Sequence, residues 1–397
     1  MRAKGKIKVA IFGHYTPIYR KGVLEKLSFM EDIELTVCST ADFPAGLRMI
    51  KPEEVSFSLL DIRTHLLRIP FTKKTFSLQP AMLSAVLGGS HDVYILPNTL
   101  SYLDVWACLA ASRLLGRKVC LWGHGKGSLN GTVARWFRKL FMNSADALVF
   151  YSDAAKKAWQ QSGIPKEKMF VAYNALDTDQ SARIRTEISG DDTAAFTASL
   201  GLQGKKIIVF TGRLLERKRP DLIVEAMALV VGKVPEAHAI LIGAGPMRET
   251  IEMRVRELAL ETHVTMAGAI FEERSIAHYL LAAKIAVIPS HAGLFIQHAF
   301  AYGLPIVVGD NLRLHPPEIE LVQEGETGLF FRDADAAHLA ERLLELFANE
   351  EKRQEMSVKA RKTIENKYNV DSMARGLSQA IRYSFAKGRT RIIKPDW

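Results

Sequence analysis

Cysteine is scarce in this chain. There are three in 397 residues, Cys38, Cys108 and Cys120. They are odd in number, widely scattered, and show no metal-ligand spacing. A disulfide-stapled scaffold is therefore not expected, and a reducing compartment is. Also missing is any uninterrupted apolar run long enough to cross a bilayer. The basic start, MRAKGKIKVAIF, carries only a short β-branched stretch and reads as a first strand, not as a signal peptide. The expected location is the cytoplasm. Acidic residues are in deficit, 43 against 53 Lys and Arg, for a net charge of +10. That charge attracts nucleic acid, anionic lipid or phosphorylated small molecules. No nucleic-acid motif is present, so lipid and nucleotide diphosphates lead as partners and nucleic acid is not expected.

What is present is alternation. Short β-branched runs at 7–13, 33–39, 92–98, 118–125, 147–152 and 168–174 are separated by helical patterns such as 102–116. Residues 44–80 give a strand-like VSFSLL followed by basic-apolar text. A polar, small-residue stretch follows at 181–204, and the alternation restarts at KKIIVFTGRL (205–214). Strands alternating with helices predict a parallel sheet covered on both faces. The length predicts two such domains. The expected organisation is an acceptor-binding domain over 1–180, a connection over 181–204, a nucleotide-sugar domain over 205–375, and a tail over 376–397 that packs back on the first domain. In doubly wound sheets ligands bind beyond the carboxyl ends of the strands, so motif residues should lie just after strands.

Three stretches meet that rule. In GRLLERKRPDLIVEAM (212–227), Arg213 and Lys218 fall between a strand and a helix. Two cations in such a turn either grip a diphosphate or belong to a solvated loop. In LIGAGP (241–246), Gly243 and Gly245 allow the backbone to approach a ligand or simply a neighbouring element. In PSHAGLFIQHAFAYGLPIV (289–307), Gly293 stands where a helix would begin. A helix start offers free N–H groups to a phosphate. The plainer reading is a helix packed through Phe295, Ala299 and Phe300.

In order and spacing these pieces resemble the retaining GT-B glycosyltransferases of glycosyltransferase family 4. The family's strand-end GR and following EK match GRLLERK. Its GxGP turn matches GAGP, and its PS…EAMACGxPVV block matches residues 289–307. Its PEIVxDGxTG matches PEIELVQEGETG (317–328), which brings in Glu318. Its VTFLG strand matches VTMAG (264–268), which would set Ile270 beside the nucleotide base. The resemblance implies an α/β GT-B fold, two Rossmann-like domains facing each other across a cleft. It implies a hexosyltransferase that moves a sugar from a nucleoside diphosphate sugar to an acceptor hydroxyl with retention, in surface polysaccharide or glycolipid assembly. No metal or other cofactor is implied. Arg213 and Lys218 would bind the diphosphate, with Gly243, Gly293 and Leu294 around the donor. In the first domain, Gly13 after the first strand would join the donor site, TPIYRKG supplies Tyr19 and Arg20 toward the acceptor, and LWGHGKG supplies His124 at a strand end facing sugar and acceptor. A non-catalytic nucleotide-sugar-binding subunit and a GT-B sugar-nucleotide epimerase remain open alternatives.

One departure stands out. The family carries two glutamates eight positions apart in the 289–307 block, one for donor-sugar hydroxyls and one for the ribose. Ser290 and His298 occupy those places here. A neutral imidazole keeps one donor and one acceptor, so His298 is expected to meet the ribose, and His291 to reach where Ser290 falls short.

The segment TVARWFRKLFMNSADA (132–147) puts Val133, Trp136, Phe137, Leu140 and Phe141 at helical spacing beside Arg135, Arg138 and Lys139. Its apolar face is expected inward. The competing reading is a helix on an anionic membrane surface near a lipid-linked acceptor, with attachment at the inner face of the membrane. The stretch HLLRIPFTKKTF (65–76) is a second basic-apolar candidate, read as a loop.

Overall fold

The computed structural model describes residues 5–41, 48–68, 75–125 and 132–389. The chain divides into two compact units, Met1–Asp177 with Val370–Trp397, and Thr178–Asn369.

The first unit holds β1 (Ile7–Phe12), β2 (Ile33–Ser39), β3 (Ser58–Asp61), β4 (His65–Arg68), β5 (Thr75–Leu78), β6 (Val93–Pro97), β7 (Lys118–Gly123), β8 (Ala147–Phe150) and β9 (Met169–Val171). Seven of these form one parallel sheet in the order β3-β2-β1-β6-β7-β8-β9. Strand side chains alternate between faces, and here both faces are apolar. Val9, Ile11, Val93 and Ile95 pack with Leu27, Val370 and Leu377 on one side. Ala10, Tyr94 and Leu96 pack with Val105, Leu109 and Phe141 on the other. The helix Val370–Arg389 earns its place in this unit by spacing. Val370, Met373, Ala374, Leu377, Ala380 and Ile381 form one buried stripe at helical period. The three cysteines are buried, and burial pushes the Cys38 thiol up to about 11 and those of Cys108 and Cys120 up to about 12.

The second unit holds β10 (Lys206–Thr211), β11 (Ala237–Ile242), β12 (Val264–Gly268), β13 (Ile285–Ile288), β14 (Ile306–Gly309) and β15 (Gly328–Phe331). They form a parallel sheet in the order β12-β11-β10-β13-β14-β15. In each sheet the chain winds outward and then returns to the other side of its first strand. The switch points are therefore β1/β6 and β10/β13.

Three expectations differ from this picture. The stretch 181–204 lies within two helices and their exit, in the second unit: Thr178–Glu187 and Gly190–Ser199. Polar as it is, it carries a capping box, in which Ser189 and Asp192 bond each other's backbone. Phe196 anchors it by stacking on His278, 5.2 Å between centroids. The return to the first unit comes at Val370, not 376, because the closing helix begins there. Within 65–76, the ends are strands: β4 and β5 pair antiparallel, His65 with Leu78 through Arg68 with Thr75. Residues 69–74 lie outside the described residues.

Candidate functional site

At the β10/β13 switch point, the residues after the two strands meet. Beyond β10 the backbone passes Gly212 and Arg213 into a 3-10 turn, Glu216–Lys218. Arg219 then adopts a left-handed conformation, and Pro220 opens the helix Pro220–Val231. This path returns the Lys218 side chain over Gly212, where a Cβ would lie 3.4 Å from Nζ. Lys218 Nζ donates to the His291 carbonyl at 2.9 Å. Burial, and then the charge of Arg217, lower the ammonium to about 8, although Glu318 acts to raise it. Glu318 is itself buried. Arg213 and Arg217 are exposed. Among the described residues no carboxylate pairs with the Arg213 guanidinium.

Beyond β13 the turn is tight. His291 has φ +50° and Gly293 has φ +55°. The first is a left-handed conformation that a non-glycine residue seldom adopts, and such strain gathers at functional sites. Around Gly293 there is open space, since an added Cβ would touch only Pro316, at 3.9 Å. His315, absent from the sequence-level candidates, pins the turn. The Ala292 N–H donates to His315 Nδ1 at 3.3 Å, so Nε2 carries the proton and donates to the Gly309 carbonyl at 3.0 Å. Nothing in the local text of RLHPPEIE marks that histidine as a support.

Several predicted roles change. The helix after Gly293 is Phe295–Ala301, seven residues, with Leu294 as its cap. Its dipole is short, which leaves the cations as the main source of positive potential. Ser290 is buried and lies 3.1 Å from His291 Nδ1, so it braces that ring instead of presenting its own hydroxyl. The imidazole of His291 is lowered mainly by burial. His298, expected at the ribose, has a protein partner in this structure. Its Nε2 lies 3.1 Å from Glu273 Oε1, which also accepts from Tyr302 (2.8 Å) and Ser181 (2.9 Å). Burial pushes the Glu273 carboxyl up, but the charge and bond of His298 with the two hydroxyls outweigh it and hold the group at about 2. A ribose hydroxyl bonding Nε2 would have to displace Glu273. Gly243 and Gly245 are needed by protein backbone: added Cβ atoms would clash with the Gly212 and Leu214 carbonyls. Ile270, half-buried, follows β12 beside an exposed Phe271.

The first unit has its own cavity of about 490 Å³, at the carboxyl ends of β1, β6, β7 and β8. It gathers Gly13, Tyr19, Arg20 and His124. Gly13 thus sits with the acceptor candidates of the first unit. The exposed His124 ring lies 4.8 Å from that of Tyr151. Gly125 follows with φ +64°, where a Cβ would strike Phe150, and its carbonyl accepts from Trp159 Nε1 at 2.7 Å. Residues 126 and 127 of the LWGHGKG stretch lie outside the described residues.

Helix Thr132–Asn143 does not bury the face expected. Phe141, Met142 and Arg138 point inward, while Trp136 (59 % exposed), Phe137 (48 %) and Leu140 (44 %) face out. The reason is Arg138. Its guanidinium donates to the backbone and side-chain oxygens of Asn98 at 3.1 and 3.2 Å, which turns the helix by its polar residue.

Residues 192–363 match the family described as glycosyl transferases group 1, and residues 51–180 match glycosyltransferase family 4. The chain belongs to the family 4, group 1 glycosyltransferases. It is 26 % identical over 249 residues to the GDP-mannose-dependent alpha-(1-6)-phosphatidylinositol monomannoside mannosyltransferase of Mycolicibacterium smegmatis, covering 60 % of this chain and 63 % of that one. It is 31 % identical over 180 residues to the D-inositol 3-phosphate glycosyltransferase of Nocardia farcinica, covering 43 % and 39 % of the two chains. The crystal structure of Anabaena Alr3699/HepE in complex with UDP has the same fold, with a TM-score of 0.72, 17 % identity, and coverage of 95 % of this chain and 99 % of that one. The two units are those of the GT-B fold.

Proposed function

We propose that this chain transfers a glycosyl group from a nucleoside diphosphate sugar to an acceptor hydroxyl, with retention, in surface polysaccharide or glycolipid assembly. The observation that carries the reading is Lys218, a half-buried ammonium held across the β10/β13 switch point on the His291 carbonyl. Breaking the anomeric bond leaves negative charge on the diphosphate. Lys218 and Arg213 then stabilise it as it grows. Gly293 and Leu294 offer the backbone approach, and Ile270 the side of the base. Retention follows from same-face attack, in which a donor phosphate oxygen takes the acceptor proton, so no protein carboxylate pair acts as acid and base. Tyr19, Arg20 and His124 line the acceptor cavity. The Mycolicibacterium smegmatis relative is GDP-mannose-dependent, and a structural neighbour binds UDP; both nucleotides are tested.

A thermal-shift screen against uridine, guanosine, adenosine and thymidine diphosphates tests the donor site. A ligand at a hundred times its Kd stabilises the native state by about 2.7 kcal/mol. At least one diphosphate is expected to raise Tm, and its sugar to be consumed when acceptor is present. Binding without transfer or hydrolysis across many acceptors would favour the non-catalytic subunit. Conversion of the donor alone would favour the epimerase.

Peripheral attachment to an anionic membrane surface is part of the proposal, and Trp136, Phe137 and Leu140 beside Arg135 and Lys139 support it. Among the described residues no helix is long and apolar enough to cross a membrane. Co-sedimentation with phosphatidylglycerol vesicles should fall roughly tenfold or more when Trp136 and Phe137 are both replaced by Ser. Equal, weak binding to neutral and anionic vesicles would remove this part.

A further inference from the structure

We infer that the cavity of the first unit takes an acceptor bearing an anionic group, a phosphate ester or a carboxylate, and that Arg20 selects it. The inference rests on the reading of that cavity as the acceptor side.

Charge is the first argument. Arg20 and two histidines line the cavity, and no aspartate or glutamate is among its lining residues. Several other half-buried arginines have acidic partners: Arg185 with Glu365, Arg342 with Glu345, Arg353 with Glu350. Arg20 has neutral neighbours. Nη1 reaches Met373 Sδ at 3.3 Å and Nη2 reaches Tyr151 Oη at 3.4 Å, both weak bonds. The guanidinium stands 5.3 Å from the Tyr19 centroid, 5.5 Å from Trp122 and 5.3 Å from Tyr151. Three rings fix its position and leave its charge uncancelled.

The wall of the cavity is the second argument. Asn98, a lining residue, has both its oxygens occupied by Arg138, a second buried cation without a carboxylate partner among the described residues. Asn98 Nδ2 and Trp122 Nε1 are buried there with no acceptor in hydrogen-bond range. Both of these groups, Asn98 Nδ2 and Trp122 Nε1, are donors. An arginine fork and surplus donors match an acceptor-rich anion, and they repel an amino sugar.

The test isolates the first unit's site in the full chain. In a Lys218→Ala background, which weakens phosphate at the second unit, inorganic phosphate and malonate are titrated calorimetrically, with glycerol as the neutral control. One or both anions should bind saturably and glycerol should not. Adding Arg20→Gln should weaken the anion roughly 10–100-fold, the range for a charge-assisted bond. Phosphate preferred over malonate identifies a phosphate ester, and the reverse a carboxylate. Unchanged anion affinity in the Arg20→Gln variant, or glycerol bound as well as the anions, overturns the inference. If that variant does not fold, arginine-specific modification of the wild type decides: phosphate must slow modification at Arg20, and no protection overturns it. The nucleotide thermal shift should survive Arg20→Gln. A wild type that no nucleotide shifts refutes glycosyl transfer, whatever phosphate does at Arg20.

Discussion

Lys218→Met lowers turnover by roughly 10²–10³-fold while leaving the protein folded, and melting no lower than the wild type by more than a few degrees. The loss falls mainly on kcat, because the ammonium meets the diphosphate most strongly once the anomeric bond is breaking. The stability argument runs the other way. A fall in the ammonium from 10.5 to about 8 means that keeping it charged costs the native state about 3 kcal/mol at neutral pH. Methionine removes that cost along with the bond to the His291 carbonyl, worth about 1.5–3 kcal/mol. The two nearly cancel. A variant that is inactive yet as stable as the parent, by circular dichroism and calorimetry, separates a functional lysine from a structural one. Wild-type turnover by Lys218→Met would end the donor-site assignment.

The same lysine sets a pH dependence. Its folded value lies below the unfolded one, so the unfolded chain binds more protons between about 8 and 10.5. Stability from this group therefore rises with pH across that window and is at its lowest below it. Donor binding goes the other way. The diphosphate needs the protonated form, so affinity is flat below about 8 and falls by up to tenfold per pH unit above it.

How far the sequence carried the reading depends on the kind of signal. Strand ends were legible, since β-branched runs stop at Gly212, Gly243 and Ser290, and a doubly wound sheet places those ends together. The stretch 181–204 reads as a connection with room for a helix, and no periodicity fixes Gly190–Ser199, because that helix rests on one capping box and one aromatic contact. Inward and outward faces of Thr132–Asn143 were misread because hydrophobic spacing assumes that charged residues face water, and Arg138 does not. His298 shows the limit of alignment. Alignment places it in the block, but its partner, Glu273, comes from a different helix start that no local pattern links to it. His315 was missed for the same reason: support across strand ends is a property of the sheet order, not of neighbouring residues.

Gly243→Ala should destabilise the second unit by about 3–5 kcal/mol. Two effects add. The residue has φ +149°, which a side chain rarely adopts, and its Cβ would lie 1.9 Å from the Gly212 carbonyl oxygen. That oxygen cannot retreat freely. The Gly212 N–H is held by the Ile242 carbonyl at 2.9 Å, Leu214 N–H by Ala244 at 2.9 Å, and the Gly243 N–H by Gly268 at 2.7 Å. These bonds tie the ends of β10, β11 and β12 into one plate, from which Arg213 and Lys218 project. A methyl group at 243 must push the 212–214 backbone away, and with it both cations. The fold and the donor site should therefore fail together: urea unfolding shifts to lower concentration, and the surviving folded fraction binds nucleotide diphosphate at least tenfold more weakly. Gly293→Ala is the contrast, because space around it is open and only its φ of +55° resists, at about 1–2 kcal/mol. Equal losses at 243 and 293 would refute the view that the first glycine serves backbone packing and the second a backbone turn beside a ligand.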